Sequence, residues 1–160
     1  MSTNHNAHLS DRLIRTIESH AGEFAQGTVK HLQTNPRTES YHKLSPKEMY
    51  DRIYEIHHDL GRWLWEKSDQ AVQARFNQVG EKRCKEGVPL AEVLWALVLT
   101  KERLLEYLGA FGLVDSAVEL YQQQEFDRLI HHFFDRALCY TAEGYGRPAS
   151  AKRHRDMIAS

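Results

Sequence analysis

The chain has 160 residues, of which 41% are hydrophobic and 27% charged, and this ordinary balance excludes a wholly disordered protein. Its 21 Lys and Arg residues offset 22 Asp and Glu residues, so no net field favours nucleic acid or an anionic membrane as a partner. Two cysteines, Cys84 and Cys139, are too few for a disulfide framework. The apolar runs are shorter than the ~20 residues that span a bilayer, and the polar N-terminus lacks a signal-peptide core. We therefore expect a single cytoplasmic domain.

The first predicted helix begins at Ser10, whose hydroxyl can cap the free amides of the first turn. Residues 1–9 are expected to be disordered. Apolar side chains then recur every three or four positions, as on one face of a helix. They are Leu13, Ile14, Ile17, Ala21, Phe24, Ala25 and Leu32. Asn35-Pro36 predicts the end of this helix, and the segment up to Leu44 is expected to be a loop anchored by Tyr41.

The second predicted helix has the clearest start in the sequence. Ser45-Pro46-Lys47-Glu48 offers a capping serine, a proline in the first turn and a glutamate that completes a capping box. Its main apolar row is Met49, Ile53, Ile56, Leu60 and Trp63, and a second row is Tyr50, Tyr54, His57 and Leu64. With two rows, the helix is expected to contact two neighbours.

A third helix is predicted to begin at Ser68-Asp69 and to end at Gly87 in a left-handed cap. A fourth helix begins at Pro89 and is apolar on almost every side as far as Leu99. A helix of that kind belongs at the centre of a bundle, with other helices around it.

The fifth predicted helix begins at Asp115-Ser116, after helix-breaking glycines at 109 and 112, and runs to about Gly144. The sequence after it is polar and basic and has no helical periodicity. The pattern as a whole predicts an all-α, single-domain bundle of about five helices over residues 10–146, followed by a polar basic tail at 147–160.

Ten histidines are present, and by helical phase three of them, His20, His31 and His57, lie close enough to an apolar face to be partly buried. Any of these three could be the axial ligand of a haem. A di-iron site needs Glu-x-x-His on two inward-facing helices, and Glu55 and His58 have that spacing but lie off the apolar face. We expect no cofactor, with a haem- or iron-binding gas or redox sensor as the alternative. A pH switch driven by the histidines is a third hypothesis.

Two cations lie in line with apolar residues of their helices, Arg83 in the third and Lys101 in the fourth. A charge on an apolar face must be paired or must extend to water. One interpretation is a carboxylate or other anionic ligand held between these helices. The other is a structural ion pair with Glu48, Glu81 or a similar acid, or a long side chain that reaches past the end of its helix.

Aromatic side chains offer a further candidate site. Tyr50 and Tyr54, with Trp63 and Phe76, either line a ligand pocket or belong to the core. Trp65 and Trp95 fall outside the main apolar rows and indicate either another packing layer or an exposed dimer face. No nucleophile–base motif, phosphate-binding glycine loop or zinc spacing is present, so the sequence does not predict an enzyme.

Packing and capping residues occur in a particular order between Leu13 and about Tyr145. They are Leu13-Ile14, Asn35-Pro36-Arg37…Tyr41…Leu44-Ser45 and Gly80…Arg83…Gly87-Val88…Leu90…Glu92-Val93-Leu94, followed by the long last helix. In this order the chain resembles the N-terminal domain of the RsbRD-type co-antagonists of the RsbT kinase. The resemblance implies an all-helical input module of bacterial signalling, which typically precedes an output domain such as the STAS domain of stressosome proteins. The family motif names no catalytic residue.

The chain departs from that pattern because only residues 147–160 follow the predicted bundle, too few for an output domain. We therefore expect a free-standing, non-catalytic sensory or regulatory domain in bacterial signalling or stress response, which acts by binding a ligand or a partner. The expected partner is a signalling protein or a second copy of the chain, bound through the fifth or second helix.

Overall fold

The computed structural model describes residues 9–110 and 116–159, and every regular element in these ranges is helical. The prediction of an all-α fold is confirmed. Within these ranges there are six α-helices, a 3₁₀-helix and a π-helical turn, more segments than the five predicted. They are α1 (Leu9–Ser19), α2 (Ala21–Thr34), the 3₁₀-helix (Pro36–Lys43), α3 (Pro46–His58), the π-helical turn (Arg62–Glu66), α4 (Asp69–Lys85), α5 (Leu90–Ala110) and α6 (Ala117–Ala159). Of the predicted disordered N-terminus, residues 1–8 lie outside the described residues, and Leu9 begins α1.

The first predicted helix is two helices in the structure. The backbone leaves helical geometry at His20, where φ is −110° and ψ is 16°. As a result α1 packs against α3 and α6, whereas α2 packs against α3 and the 3₁₀-helix. The hydrophobic pattern does not indicate this break, because both helices continue the same apolar row.

The predicted loop after α2 is the 3₁₀-helix Pro36–Lys43. Tyr41 is buried there, as expected of an anchor. The backbone N–H and the hydroxyl of Ser40 donate to the two carboxylate oxygens of Glu92, at 2.7 and 2.8 Å. These bonds hold the segment against the start of α5, so its backbone is fixed although its sequence is polar.

Several predicted helix ends are confirmed. The side chain of Ser45 accepts a hydrogen bond from the N–H of Glu48 at the start of α3, and Ser68 does the same for Ala71 at the start of α4. Gly87, with φ of +76°, is left-handed after α4, a conformation that glycine adopts without steric cost.

Two other predicted boundaries are tested only in part. Ser116 caps α6 by accepting from the N–H of Glu119 at 3.1 Å, whereas Asp115 and Gly112 lie outside the described residues. α3 ends at His58 rather than continuing through Leu64, and the chain passes through the π-helical turn that contains the buried Trp63.

α5 is not confirmed as a central helix that is apolar and buried on every side. It buries one face, formed by Val93, Ala96, Leu99, Thr100, Leu104 and Leu108. Leu94 and Val98 are only half-buried. Within the described ranges α6 packs on α1, α4, α5 and the π-helical turn, and α5 likewise packs on four elements, namely α2, α4, α6 and the 3₁₀-helix.

The most extensive helix contact is between α4 and α6, and two glycines allow it. A Cβ at Gly80 of α4 would meet the backbone carbonyl of Thr141, and a Cβ at Gly144 of α6 would meet the backbone of Asn77. A side chain of any size would push the two helices apart. The crossing therefore depends on glycine at both positions.

α6 continues to Ala159, across most of the segment from residue 147 that is predicted to be a polar tail. Ala149, Ala151 and Lys152 are good helix formers, a preference that the polar composition of the segment concealed. None of the helices in the described ranges is both long and apolar enough to cross a membrane.

Candidate ligand-binding cavity

The interior of the protein contains two clusters of apolar side chains. The larger cluster joins α1 to α4, α5 and α6, and the smaller one joins α2 and the 3₁₀-helix to α3 and α5. A cavity of about 100 Å³ lies where the two clusters meet. It forms there because α3 packs mainly against α2, whereas α4 packs mainly against α6, and the side chains between these two helix pairs do not fill the space.

Most of the cavity wall is apolar. It includes Ile53 and Ile56 of α3, Phe76 of α4, Ala96 of α5 and the adjacent pair Phe133-Phe134 of α6. Phe76 and Phe133 meet edge to face with ring centroids 5.8 Å apart. Such a wall favours a ligand that is itself largely apolar.

His57 is the polar group buried most completely in this wall, with 2% of its surface exposed. Its Nδ1 lies 2.8 Å from the backbone oxygen of Ile53, one turn earlier in α3. A ring nitrogen must donate to a carbonyl oxygen, so the proton of the neutral imidazole is on Nδ1 and Nε2 carries a lone pair. Within the described residues Nε2 is buried and has no hydrogen-bond partner.

Burial lowers the pKa of His57 to about 4, partly opposed by the hydrogen bond to the Ile53 carbonyl. The imidazole is therefore neutral at pH 7 and serves as an acceptor at Nε2. One ring face is covered by Phe24, whose centroid is 4.4 Å from that of His57. His57 is thus enclosed by α2 on this side and is among the residues that line the cavity.

Three arginines, Arg52 of α3 and Arg75 and Arg83 of α4, also line the cavity. Each has a carboxylate partner: Arg52 Nε lies 3.0 Å from Glu48, Arg75 Nη2 lies 2.8 Å from Glu55, and Arg83 Nη1 lies 2.8 Å from Glu86. The positive charge at the cavity is thus already balanced by acids of the protein.

Arg83, predicted from the sequence, is 3% exposed. Besides Glu86 it contacts Glu48 at 3.5 Å. The surroundings of Arg83 are therefore those of a structural ion pair. Its guanidinium lies 5.2 Å from the ring centroid of Tyr41. Burial raises the pKa of Tyr41 to about 12 despite the nearby charge of Arg83. Among the described residues the Nε of Arg83 has no acceptor.

Glu48 connects this cluster. Burial alone would raise its pKa, but a hydrogen bond from Lys82 and the charges of Arg83 and Arg52 lower it. Burial lowers the pKa of Arg52, and repulsion from Arg83 adds to this effect. The charged groups around the cavity therefore form one network that joins α3 to α4.

The other predicted ligand-binding residues lie elsewhere. Tyr50 and Tyr54 of α3 stack with centroids 5.8 Å apart, and Tyr54 stacks in turn on His58 at 5.0 Å. Lys101 is half-buried on α5. None of the three is among the residues that line the cavity.

Of the three candidate haem or metal ligands, only His57 lies in the cavity wall. His20 and His31 are half-buried, and the ring of His20 faces Tyr107 at 6.4 Å. In the described ranges no three His, Cys, Asp or Glu side chains come together as a metal site would require. The free Nε2 of His57 has the chemistry of an axial ligand, but the cavity is well below the roughly 300–1,000 Å³ of cofactor pockets.

Sequence reasoning did not identify Arg52, Arg75 or the phenylalanine pair of α6 as residues of a common site. Arg75 follows Val72 by three positions and precedes Val79 by four, so its place near the apolar row of the third predicted helix was a usable signal. The phenylalanines read as ordinary core residues, and no pattern in the sequence indicates that space remains beside them.

Trp65 and Trp95, which fall outside the apolar rows, have different surroundings. Trp65 is 56% exposed, whereas Trp95 is half-buried beneath the guanidinium of Arg37, 3.9 Å from its ring centroid. Trp95 therefore belongs to a local cation–π contact.

Comparison of the chain with protein-family models, with curated proteins and with solved structures finds no match.

Proposed function

We propose that this protein is a non-catalytic sensory domain of bacterial signalling that binds a small, largely apolar molecule in the cavity. The observation that carries the proposal is the composition of the cavity wall, which joins α3 and α4 to Phe133 and Phe134 of the 43-residue helix α6. A ligand between these elements contacts the longest helix directly. The resemblance to RsbRD-type input domains adds independent support for a role in cytoplasmic stress signalling.

Sensing in this scheme is a shift between two arrangements of the same helices. A ligand favours the arrangement in which the cavity is open enough to hold it, and only its difference in affinity for the two arrangements drives the change. Charged pairs join α3 to α4, among them Arg75–Glu55 and Lys82–Glu48 at 2.8 and 2.9 Å. Pairs of this kind can re-form after a small displacement.

The output of such a domain is a contact with a signalling protein or with a second copy of the chain. Val118, Leu120 and Tyr121, at the start of α6, are 66%, 50% and 63% exposed, and exposed apolar groups in one place favour a protein partner. A dimer formed through α6 would be detected by light scattering at tens of micromolar. If the protein is a monomer under these conditions, its partner must be a different protein.

The experiment that tests the proposal is ligand binding by the purified chain, with benzene, phenol and benzoate as probes. A probe present at tenfold its Kd is expected to raise Tm by about 4 °C and to change amide hydrogen exchange around Phe133 in α6. Ala96→Leu, which fills the cavity, removes both effects. Ala91→Leu, on the exposed side of α5, leaves them unchanged.

Two results would reject the proposal. Probes that leave both Tm and α6 exchange unchanged up to their solubility limits would show that the cavity is not a binding site. A haem absorption band or stoichiometric iron in freshly purified protein would instead favour the cofactor-bearing sensor, with His57 as the first ligand to replace.

A further inference from the structure

His57, in the wall of the cavity, has one buried ring nitrogen without a hydrogen-bond donor among the described residues. Its Nδ1 proton is engaged by the carbonyl of Ile53 at 2.8 Å, so the imidazole presents only the lone pair of Nε2. That atom has no partner among the described residues and lies in a residue that is 2% exposed. A buried acceptor without a donor is unfavourable, and a ligand that supplies the donor removes this cost.

The size of the cavity limits what the donor can be attached to. A cavity of about 150 Å³ lined by Leu, Ile and Phe holds benzene, and this one is about 100 Å³. The ligand is therefore compact: a short branched chain fits the cavity as it stands, and a single ring fits when the walls move outward slightly. Its surface is mostly apolar, to match Ile56, Phe76 and Phe133.

The three arginines around the cavity do not need an anionic ligand to balance their charge. Glu48, Glu55 and Glu86 already pair with Arg52, Arg75 and Arg83. A carboxylate ligand would have to displace one of these acids and to lose its own hydration. A neutral donor has no such competitor at His57, because none of the described residues donates to Nε2.

We infer that the cavity takes a compact apolar molecule with a neutral hydroxyl group, such as a small phenol or alcohol, whose O–H donates to Nε2 of His57. The inference rests on the proposed function and specifies its ligand class. It assigns His57 the role of the residue that distinguishes a hydroxyl compound from a hydrocarbon of the same size.

The test compares phenol with fluorobenzene, which has the same number of heavy atoms but no donor. Phenol is expected to bind the wild type at least tenfold more tightly. His57→Leu lowers phenol affinity to the level of fluorobenzene, while His58→Leu, at the exposed neighbour, does not change it. The ¹⁵N resonance of Nε2 in the wild type gives a second measurement that does not depend on a variant. Phenol must shift it towards a hydrogen-bonded value, and fluorobenzene must not.

Each other outcome has a distinct meaning. Equal binding of phenol and fluorobenzene, lost in Ala96→Leu, would overturn the role of His57 and leave the sensory cavity in place. Tighter binding of benzoate than of phenol would overturn the inference in favour of recognition by the arginines. Binding of none of the three probes would overturn both the inference and the proposed function.

Discussion

α4 and α6 approach each other in two neighbouring regions that are packed in opposite ways. At Gly80 and Gly144 their backbones touch, whereas one to three turns away Phe76 and Phe133 border an empty space of about 100 Å³. The first region tolerates no added atom, and the second has room for several. The same pair of helices is thus fixed where glycine permits contact and adjustable where bulky side chains leave a gap.

The largest expected effect on stability comes from adding one methyl group at the crossing of α4 and α6. Gly144→Ala is expected to lower the free energy of unfolding by about 3 kcal/mol, because the new Cβ has no space against the backbone of Asn77. Urea denaturation measures it. Gly146→Ala, on the same helix with nothing within 4 Å of its Cβ, serves as the control and should be neutral or stabilising by up to about 1 kcal/mol. Equal effects of the two changes would contradict the close approach.

The same substitution at two positions compares the packed core with the space beside the cavity. Ala137→Leu, in the packed core at 0% exposure, is expected to destabilise the protein by about 2–3 kcal/mol. Ala96→Leu, beside the cavity, should cost less than about 1 kcal/mol because its added carbons enter unoccupied volume. Denaturant midpoints of both variants provide the measurement. If Ala96→Leu proved the more costly of the two, the space beside it would not be available.

Lowering the pH should decrease the free energy of unfolding, because His57 is protonated more easily in the unfolded chain than in the folded one. The unfolded chain takes up a proton near pH 6.5 and the folded chain only near pH 4, so the stability contributed by the neutral histidine is complete above pH 6.5 and is lost as the pH falls through 4. Between pH 7 and 4.5 the loss is about 2 kcal/mol. Arg52, Arg75 and Arg83, which also line the cavity, stay charged across this range.

The measurement is the free energy of unfolding of the wild type and of His57→Leu at several pH values. The difference between the two should change by about 2 kcal/mol over this range. His58→Leu should keep the wild-type pH dependence. A constant difference between wild type and His57→Leu would place the proton uptake on another residue.

The smallest expected effect concerns the start of α4. Ser68→Ala removes the side-chain acceptor of the Ala71 N–H and should cost about 1 kcal/mol. Gln70→Ala, an exposed neighbour, is the control and should be within about 0.5 kcal/mol of wild type. If Ser68→Ala matched Gln70→Ala in a denaturation experiment, the hydrogen bonds that Asp69 accepts from Arg136 and Tyr140 of α6 would be sufficient to hold this helix end in place.

Local signals in the sequence predicted much of the helical framework. Ser45, Ser68 and Gly87 each specify a helix boundary through their own hydrogen bonds or backbone conformation, and the structure places them there. The break at His20 and the end of α3 at His58 were not predicted. Both lie within continuous apolar rows, and a break of this kind depends on which neighbours each half contacts.

The candidate site depended even more on tertiary structure. Helical phase identified His57 as a partly buried residue and Arg83 as a cation on an apolar face. It could not reveal that both border one cavity, because a cavity is the result of imperfect packing between helices that are distant in sequence. The requirement for glycine at Gly80 is equally absent from local sequence patterns, since the backbone of Thr141 imposes it.

Because α6 is long, a small rotation of this helix inside the bundle would displace its far end by a larger distance. From Phe134, beside the cavity, to Ala159 the helix extends over about 37 Å at 1.5 Å per residue. If α6 turned about its contact with α4 by about 5°, the far end would be displaced by roughly 2–3 Å. Under the proposed function, a displacement of this size would let a partner at the far end of α6 distinguish the two helix arrangements.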